Sequence, residues 1–242
     1  MGDRRDRLPR PAARPPPGAG DDLLVGQRLA AVRQLGREAL AARVGAVASA
    51  LRERGATHLV IACNAASTVL GHPALTRSGL AICGVIAPAI AATLADPARV
   101  VRVIGGRRTI RSGLYRRALV AAGRRVHARV AHPLSALVER GQLDTPRVHA
   151  ELGRILAPLR QVEALVLACT HYTALLPAIR GLLPRARIID PAAAALAEVE
   201  RAWSLGHVRS DMFLTTGDPE AMRTAAQLAF GVQLPAVQRV AL

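Results

Sequence analysis

Two nearly identical hexamers punctuate the chain, Leu59-Val60-Ile61-Ala62-Cys63-Asn64 and Leu165-Val166-Leu167-Ala168-Cys169-Thr170. Each begins as an apolar run without polar alternation, the pattern of a strand covered by helices on both faces. Each follows a helical segment and a short turn, Gly55-Ala56-Thr57 or Gln161-Val162-Glu163, and each ends in a cysteine followed by small polar residues able to open a helix. A repeated strand–thiol unit restricts the fold to two related α/β halves. In open α/β sheets, ligands lie beyond the carboxyl ends of strands. The two thiols are therefore expected to face one another across a cleft between the halves.

The rest of the chain fits this frame. Short strands are expected at Asp21–Gly26, His58–Cys63, Leu80–Val85, Val100–Ile104, Arg125–Val130, Ala164–Ala168 and Arg187–Ile189, with helical patterns between most of them. Alternation of this kind predicts an α/β fold with parallel sheets. Arg37–Arg54 reads as an amphipathic helix whose inner face carries Leu40, Val44, Val47 and Leu51, with Gly55 just past its end. Residues 1–20, with five Arg and five Pro, are expected to be extended or disordered, and they lack the apolar centre of a secretory leader. No apolar run approaches a membrane span, so no membrane partner is expected and the cytoplasm is the expected location.

Composition removes several chemistries. All 33 Lys+Arg residues are arginine, against 17 Asp+Glu, giving a formal charge of +16 over 242 residues. Without lysine there is no Schiff-base anchor for pyridoxal phosphate and no phosphate loop ending in Gly-Lys-Ser/Thr. The positive charge suits a polyanion, but the arginines do not gather in one stretch. Aromatics are only 2% of the chain, too few for base stacking. A general use of Arg for Lys is the favoured reading, and nucleic acid is not an expected partner. Gly105-Gly106-Arg107-Arg108 could cradle a phosphate, with a plain strand-to-helix turn as the favoured alternative. His58, His72, His127, His132, His149 and His207 read as surface or loop residues, and Trp203 as packing near the chain's return to its first half.

The three cysteines are too few and too far apart for a disulfide framework or a Cys-rich zinc site. Cys83, inside Ala81-Ile82-Cys83-Gly84-Val85, reads as a small core residue. For Cys63 and Cys169 a disulfide, a metal pair and acid/base work are the alternatives. A reducing compartment argues against the first. The second lacks ligands at suitable spacing, although Cys169-Thr170-His171 keeps it formally open. Acid/base chemistry fits best: a thiolate and a thiol on opposite faces of a carbon can remove one proton and return another, inverting a stereocentre with no cofactor.

The segments Cys63-Asn64-Ala65-Ala66-Ser67 and Cys169-Thr170-His171-Tyr172 resemble the signatures of the cofactor-independent aspartate/glutamate racemases, the glutamate branch in particular. Thr109-Ile110-Arg111-Ser112-Gly113-Leu114-Tyr115, Pro133-Leu134 through Val138-Glu139, and Phe213-Leu214-Thr215-Thr216-Gly217-Asp218-Pro219 resemble further family segments, in the family's order. The resemblance implies two pseudo-symmetric parallel-sheet domains with the active site between them. It puts residues 21–92 and 208–242 in the domain carrying Cys63, and 93–207 in the domain carrying Cys169. It makes Cys63 and Cys169 the two proton carriers, with His171 and Glu139 assisting Cys169. Gly36, Asn64, Ala65, Thr109, Thr170 and His171 are the implied substrate contacts. The implied substrate is glutamate or a similar acidic amino acid, for bacterial peptidoglycan; neither cofactor nor metal is implied, and a homodimer is left open.

The chain also departs from the family. The family's opening strand, ending Asp-Ser-Gly, has no counterpart in residues 1–20. Gly26-Gln27…Gln34-Leu35-Gly36 lacks the family's Asp and Tyr, Ala65 replaces a Thr, and Ala87-Pro88 replaces Glu-Pro. These losses fall on the Cys63 side and predict weakened turnover, each lost hydrogen bond in a dry site being worth about 1–3 kcal/mol. Two other readings compete: a non-catalytic racemase-fold protein binding an anion or nucleic acid, and a single-thiol decarboxylase or isomerase of the same superfamily.

Overall fold

The computed structural model describes residues 22–25, 35–157, 162–204 and 211–242. The expected 1–20 tail, Gly26, Gln27, Gln34 and His207 lie outside these residues. Every strand pairing in the described part is parallel. The first domain comprises β1 (Asp22–Val25), α1 (Arg37–Glu53), β2 (His58–Ile61), the single turns α2 (Asn64–Ser67) and α3 (Pro73–Thr76), and β3 (Ala81–Gly84). After α4 (Ile86–Ala95) come β4 (Val100–Gly105), α5 (Arg107–Ser112), α6 (Leu114–Ala121), β5 (Arg125–Val130), α7 (His132–Glu139) and α8 (Pro146–Leu156). The second domain closes with β6 (Ala164–Ala168), a 3-10 turn at Thr170–Leu175, α9 (Leu176–Leu182), β7 (Arg187–Ile189) and α10 (Pro191–Ala202). The chain then returns with β8 (Met212–Thr215), α11 (Pro219–Phe230) and β9 (Val237–Arg239). β9 is not among the strands expected from the sequence.

The four-stranded sheet runs β5-β4-β6-β7, with β6 buried along its whole length. Successive side chains of a strand point to opposite faces, and β6 shows the consequence. Leu165 and Leu167 pack with Leu134, Leu152, Ile155 and Ile179 from α7, α8 and α9. Ala164, Val166 and Ala168 pack with Ile86, Ala89, Tyr115 and Leu119 from α4 and α6. Replacing Leu165 or Leu167 by Ala would cost roughly 2–5 kcal/mol, as for other fully buried leucines. β5 departs from the expectation of a strand buried on both faces. It is an edge strand with Arg125, His127 and Val130 exposed, its charged residues blunting the open edge.

The first domain is thinner. Its strands form two separate sheets, β2-β3 and β1-β8-β9, the second pairing the returning chain with β1. The inner face of α1 consists of Leu40, Ala41, Gly45, Ala48 and Leu51, with Val44 and Val47 only half-buried. The stripe has turned toward small residues because α3 packs close: a Cβ on Gly45 would stand 3.1 Å from that of Ala74. Gly55, at φ 96°, ends the helix as expected. Three later helices share one opening device, a capping side chain followed by proline: Thr145-Pro146, Asp190-Pro191 and Asp218-Pro219.

The expected domain limit after residue 92 falls inside α4, whose Ile86 and Ala89 pack on the second sheet. His58 also differs from its surface-or-loop reading. It opens β2, with Nδ1 2.8 Å from the Thr57 hydroxyl and its ring 4.7 Å from that of Trp203. Trp203 itself packs with Cys83 and Val199, joining α10 to β3.

Candidate active site

Cys63 follows β2 and stands at the start of α2. The buried Ser67 secures this turn: its hydroxyl donates to the Ile61 carbonyl (3.1 Å) and accepts from the Val85 amide (3.2 Å), tying the ends of β2 and β3 together. Gly84 makes room for it, since a Cβ there would meet Ser67 Oγ at 2.8 Å and Leu70 Cδ1 at 2.3 Å. Asn64 is 2% exposed and accepts at Oδ1 from the Tyr115 hydroxyl of α6 (2.7 Å). Its Nδ2 is buried without a partner. A buried unpaired amide costs about 1–3 kcal/mol, and beside a thiol it is a donor held ready for a ligand oxygen. Burial, and then the charge of Asp190, push the Tyr115 phenol well above its ordinary value, so it remains a donor. Tyr115 was read only as part of a family segment; its role depends on α2 meeting α6 across the domains, which spacing does not reveal.

Cys169 follows β6, and its Sγ lies 3.8 Å from Nδ1 of His171. Nε2 of His171 lies 3.4 Å from Oε1 of Glu139, the last residue of α7. An imidazole directing Nε2–H at a carboxylate presents Nδ1 as the acceptor for a thiol proton. The sequence-predicted Cys169, His171 and Glu139 are thus brought together. The buried Tyr172 holds the turn by donating to the Ala131 carbonyl (2.7 Å), and Thr173 donates to Asp190 (3.0 Å). The sequence pattern suggested that a helix opens after each cysteine; Cys63 caps a four-residue α-helical turn and Cys169 a 3-10 turn. Pro177 at the start of α9 leaves that turn to run on before regular helix begins.

Strand register links the two sides. Gly105 of β4 pairs with Ala168 of β6, and a Cβ on Gly105 would come within 3.0 Å of the Ala168 carbonyl. The residues after β4 are thereby set beside those after β6, and α5 carries the buried Thr109 there. Arg108 of α5 donates to the Leu35 carbonyl, bringing Gly36, which precedes α1, toward the same region. Asn64 reaches it through Tyr115. Ala65 and Thr170 are half-buried next to their cysteines. Gly106 has an ordinary extended backbone, and Gly105–Arg108 is a strand-to-helix turn.

Cys63 and Cys169 are both partly exposed, whereas Cys83 is buried. Burial and the Glu198 charge raise the Cys83 pKa and keep it a neutral thiol. Among the described residues no three His, Cys, Asp or Glu side chains are grouped to hold a metal ion, and no helix is long and apolar enough to cross a membrane.

Parallel α/β domains, each with a thiol at the carboxyl end of a strand, define a class that the comparisons make specific. Residues 26–199 match the model of the Asp/Glu/Hydantoin racemase family, and the chain belongs to it. It is 35% identical over 226 residues to a glutamate racemase of Thermus thermophilus, an alignment covering 90% of this chain and 81% of the relative. A solved glutamate racemase from Thermus thermophilus, in complex with beta-chloro-D-alanine, superposes at a TM-score of 0.76 with 31% identity, covering 93% of this chain and 88% of the other. A Bacillus anthracis glutamate racemase isoform gives a TM-score of 0.81 at 25% identity, with 91% and 87% covered.

Proposed function

We propose that the chain is a cofactor-independent glutamate racemase that interconverts L- and D-glutamate with Cys63 and Cys169. The thiolate of one cysteine takes the Cα proton and becomes a thiol. The thiol of the other gives a proton to the opposite face of the carbanion and becomes a thiolate. One C–H bond breaks and one forms, no net proton is consumed, and the stereocentre is inverted. The supporting observation is the chain of contacts Cys169–His171–Glu139, which gives one thiol a base and that base a carboxylate. Asn64 Nδ2, Thr109 and Thr170 supply donors for the substrate, with Gly36 and Ala65 lining the pocket.

The racemase acts in the cytoplasm and supplies D-glutamate for peptidoglycan, the use its family implies. We place the first domain at residues 22–85 and 211–242, with α4 through α10 as the second, because α4 packs on the second sheet. A homodimer remains the assembly to test by light scattering.

The deciding experiment is incubation of the purified chain with L-glutamate in deuterated water. Deuterium at Cα together with formation of D-glutamate is expected, and racemisation should be lost in Cys63→Ser and in Cys169→Ser. Near-normal turnover in either variant would remove the two-thiol mechanism; absence of exchange in the parent chain would remove the activity.

A further inference from the structure

The 3-10 turn Thr170–Leu175, which carries His171, is fastened on two sides. On one, the buried Tyr172 donates to the Ala131 carbonyl at the head of α7 (2.7 Å). On the other, the Thr173 hydroxyl donates to Oδ2 of Asp190 (3.0 Å). Asp190 follows β7, and because Ile189 of β7 pairs with Val166 of β6, it stands beside the strand end that leads to Cys169. Its other oxygen, Oδ1, accepts from the Ala192 amide (2.8 Å) and caps α10. One carboxylate therefore holds both the start of a helix and the turn after the second thiol.

Two features separate this carboxylate from an ordinary helix cap. In a chain with 33 arginines, Asp96, Glu151, Glu198 and Glu220 each pair with one. Asp190 is half-buried and enters no ion pair among the described residues. Its charge is met instead by the Thr173 hydroxyl and the Ala192 amide, and hydrogen bonds to an ionised acceptor are the stronger kind. The second feature is the lack of slack beyond Thr173. His171, two residues earlier on the same turn, meets Cys169 at 3.8 Å and Glu139 at 3.4 Å, each near the outer limit for its kind of contact. A small displacement of the turn would open one or the other.

We propose, resting on the two-thiol mechanism, that Asp190 is a positioning residue for racemisation: through Thr173 it fixes the turn after Cys169 and so sets His171 between the Cys169 thiol and the Glu139 carboxylate. Its own oxygens are committed to Thr173 and Ala192, and it takes no proton in the reaction. The Tyr172–Ala131 bond anchors the opposite side of the same turn.

Asp190→Ser, Thr173→Val and Thr173→Ser in the full chain test this. Serine caps a helix as well as aspartate does but is too short to reach Thr173, and valine keeps the shape of threonine without its hydroxyl. Asp190→Ser also removes a charge near Tyr115, whose buried phenol stays protonated at neutral pH. Asp190→Ser and Thr173→Val are each expected to keep the parental melting temperature and to lose about tenfold in kcat with a smaller change in KM, since reacting groups tolerate little misplacement. Combining the two should cost no more than either alone, and Thr173→Ser should restore turnover. In both variants, iodoacetamide labelling followed by peptide mass spectrometry should slow several-fold at Cys169 and stay unchanged at Cys63, because a reactive thiolate depends on its neighbouring imidazole. Labelling needs no turnover, so a parent chain that fails to racemise glutamate overturns the catalytic reading while the Cys169 rate still decides the placement. Unchanged Cys169 labelling, additive losses in the double variant, or a loss of kcat matched by a loss of folded protein would each overturn the proposal.

Discussion

The two thiol-bearing units share a hexamer but not an environment. β6 is enclosed in a four-stranded sheet with every residue buried, whereas β2 has one strand neighbour among the described residues and leaves Val60 42% exposed. Cys169 has an imidazole backed by a carboxylate; Cys63 has a turn secured by Ser67 and an amide aimed by Tyr115. Each thiol thus stands at a strand's end, but Cys169 has a neighbouring imidazole and carboxylate while Cys63 has beside it an amide oriented by Tyr115. On the proposed mechanism the two half-reactions are therefore not equivalent: the Cys169 side relies on its own base, and the Cys63 side on the Asn64–Tyr115 contact.

Two substitutions would break that comparison with the largest effects. His171→Ala removes the base of one side, and a loss of about 10²–10³-fold in kcat is expected, within the usual range for a general acid or base. On the proposal that His171 assists Cys169, isotope exchange from the enantiomer facing Cys169 should fall more than exchange from the other. Equal losses for both enantiomers would show that His171 serves the site as a whole. Gly84→Ala acts on the other side, driving a methyl group into Ser67 and Leu70. Overpacking of this kind costs typically about 1–3 kcal/mol, and here it also loosens the turn after Cys63. A chemical-denaturation midpoint unchanged from the parent would show that this turn gives way freely.

A smaller effect separates Tyr115 from the catalytic groups. Tyr115→Phe leaves the Asn64 amide without its orienting donor, and an increase in KM for glutamate of about 5- to 20-fold is expected, equivalent to roughly 1–2 kcal/mol. A positioning role predicts that kcat changes less than KM, and a kcat loss alone would contradict it.

The strand–helix alternation was legible because β6 is buried on both faces and carries an unbroken apolar run, and β4 is nearly so, its run interrupted only by the buried Arg102. The same reasoning misjudged β5, whose Arg125 and His127 alternate as an edge requires, and missed β9, a short stretch whose pairing depends on β8 from elsewhere in the chain. In the site, Cys63 and Cys169 were readable from their repetition, while the roles of His171 and Glu139 came from family likeness. Ser67, Tyr115 and Asp190 act through contacts distant in sequence, Tyr115 meeting Asn64 from another domain, and local patterning contains no trace of such meetings.

One ion pair, between the end of α4 and β7, responds to acid. Asp96, just after α4, is held below the ordinary aspartate range first by the hydrogen bond from Arg187 of β7, at 2.7 Å, helped by the Ala98 amide. A carboxyl group with a lowered folded-state pKa stabilises the fold above its unfolded pKa and loses that contribution as pH falls through the folded one. The window therefore lies below about pH 4. Arg187 is half-exposed, so solvent screens the pair and the effect is small. At neutral pH, Asp96→Asn should lower the melting temperature by roughly 1–2 °C, in the range expected for a weakened surface pair in a chain of this size. Near pH 3 the parent and the variant should converge, because protonation has then removed the same interaction. A difference that persists undiminished at pH 3 would assign the loss to the Ala98 cap and not to the charge of the pair.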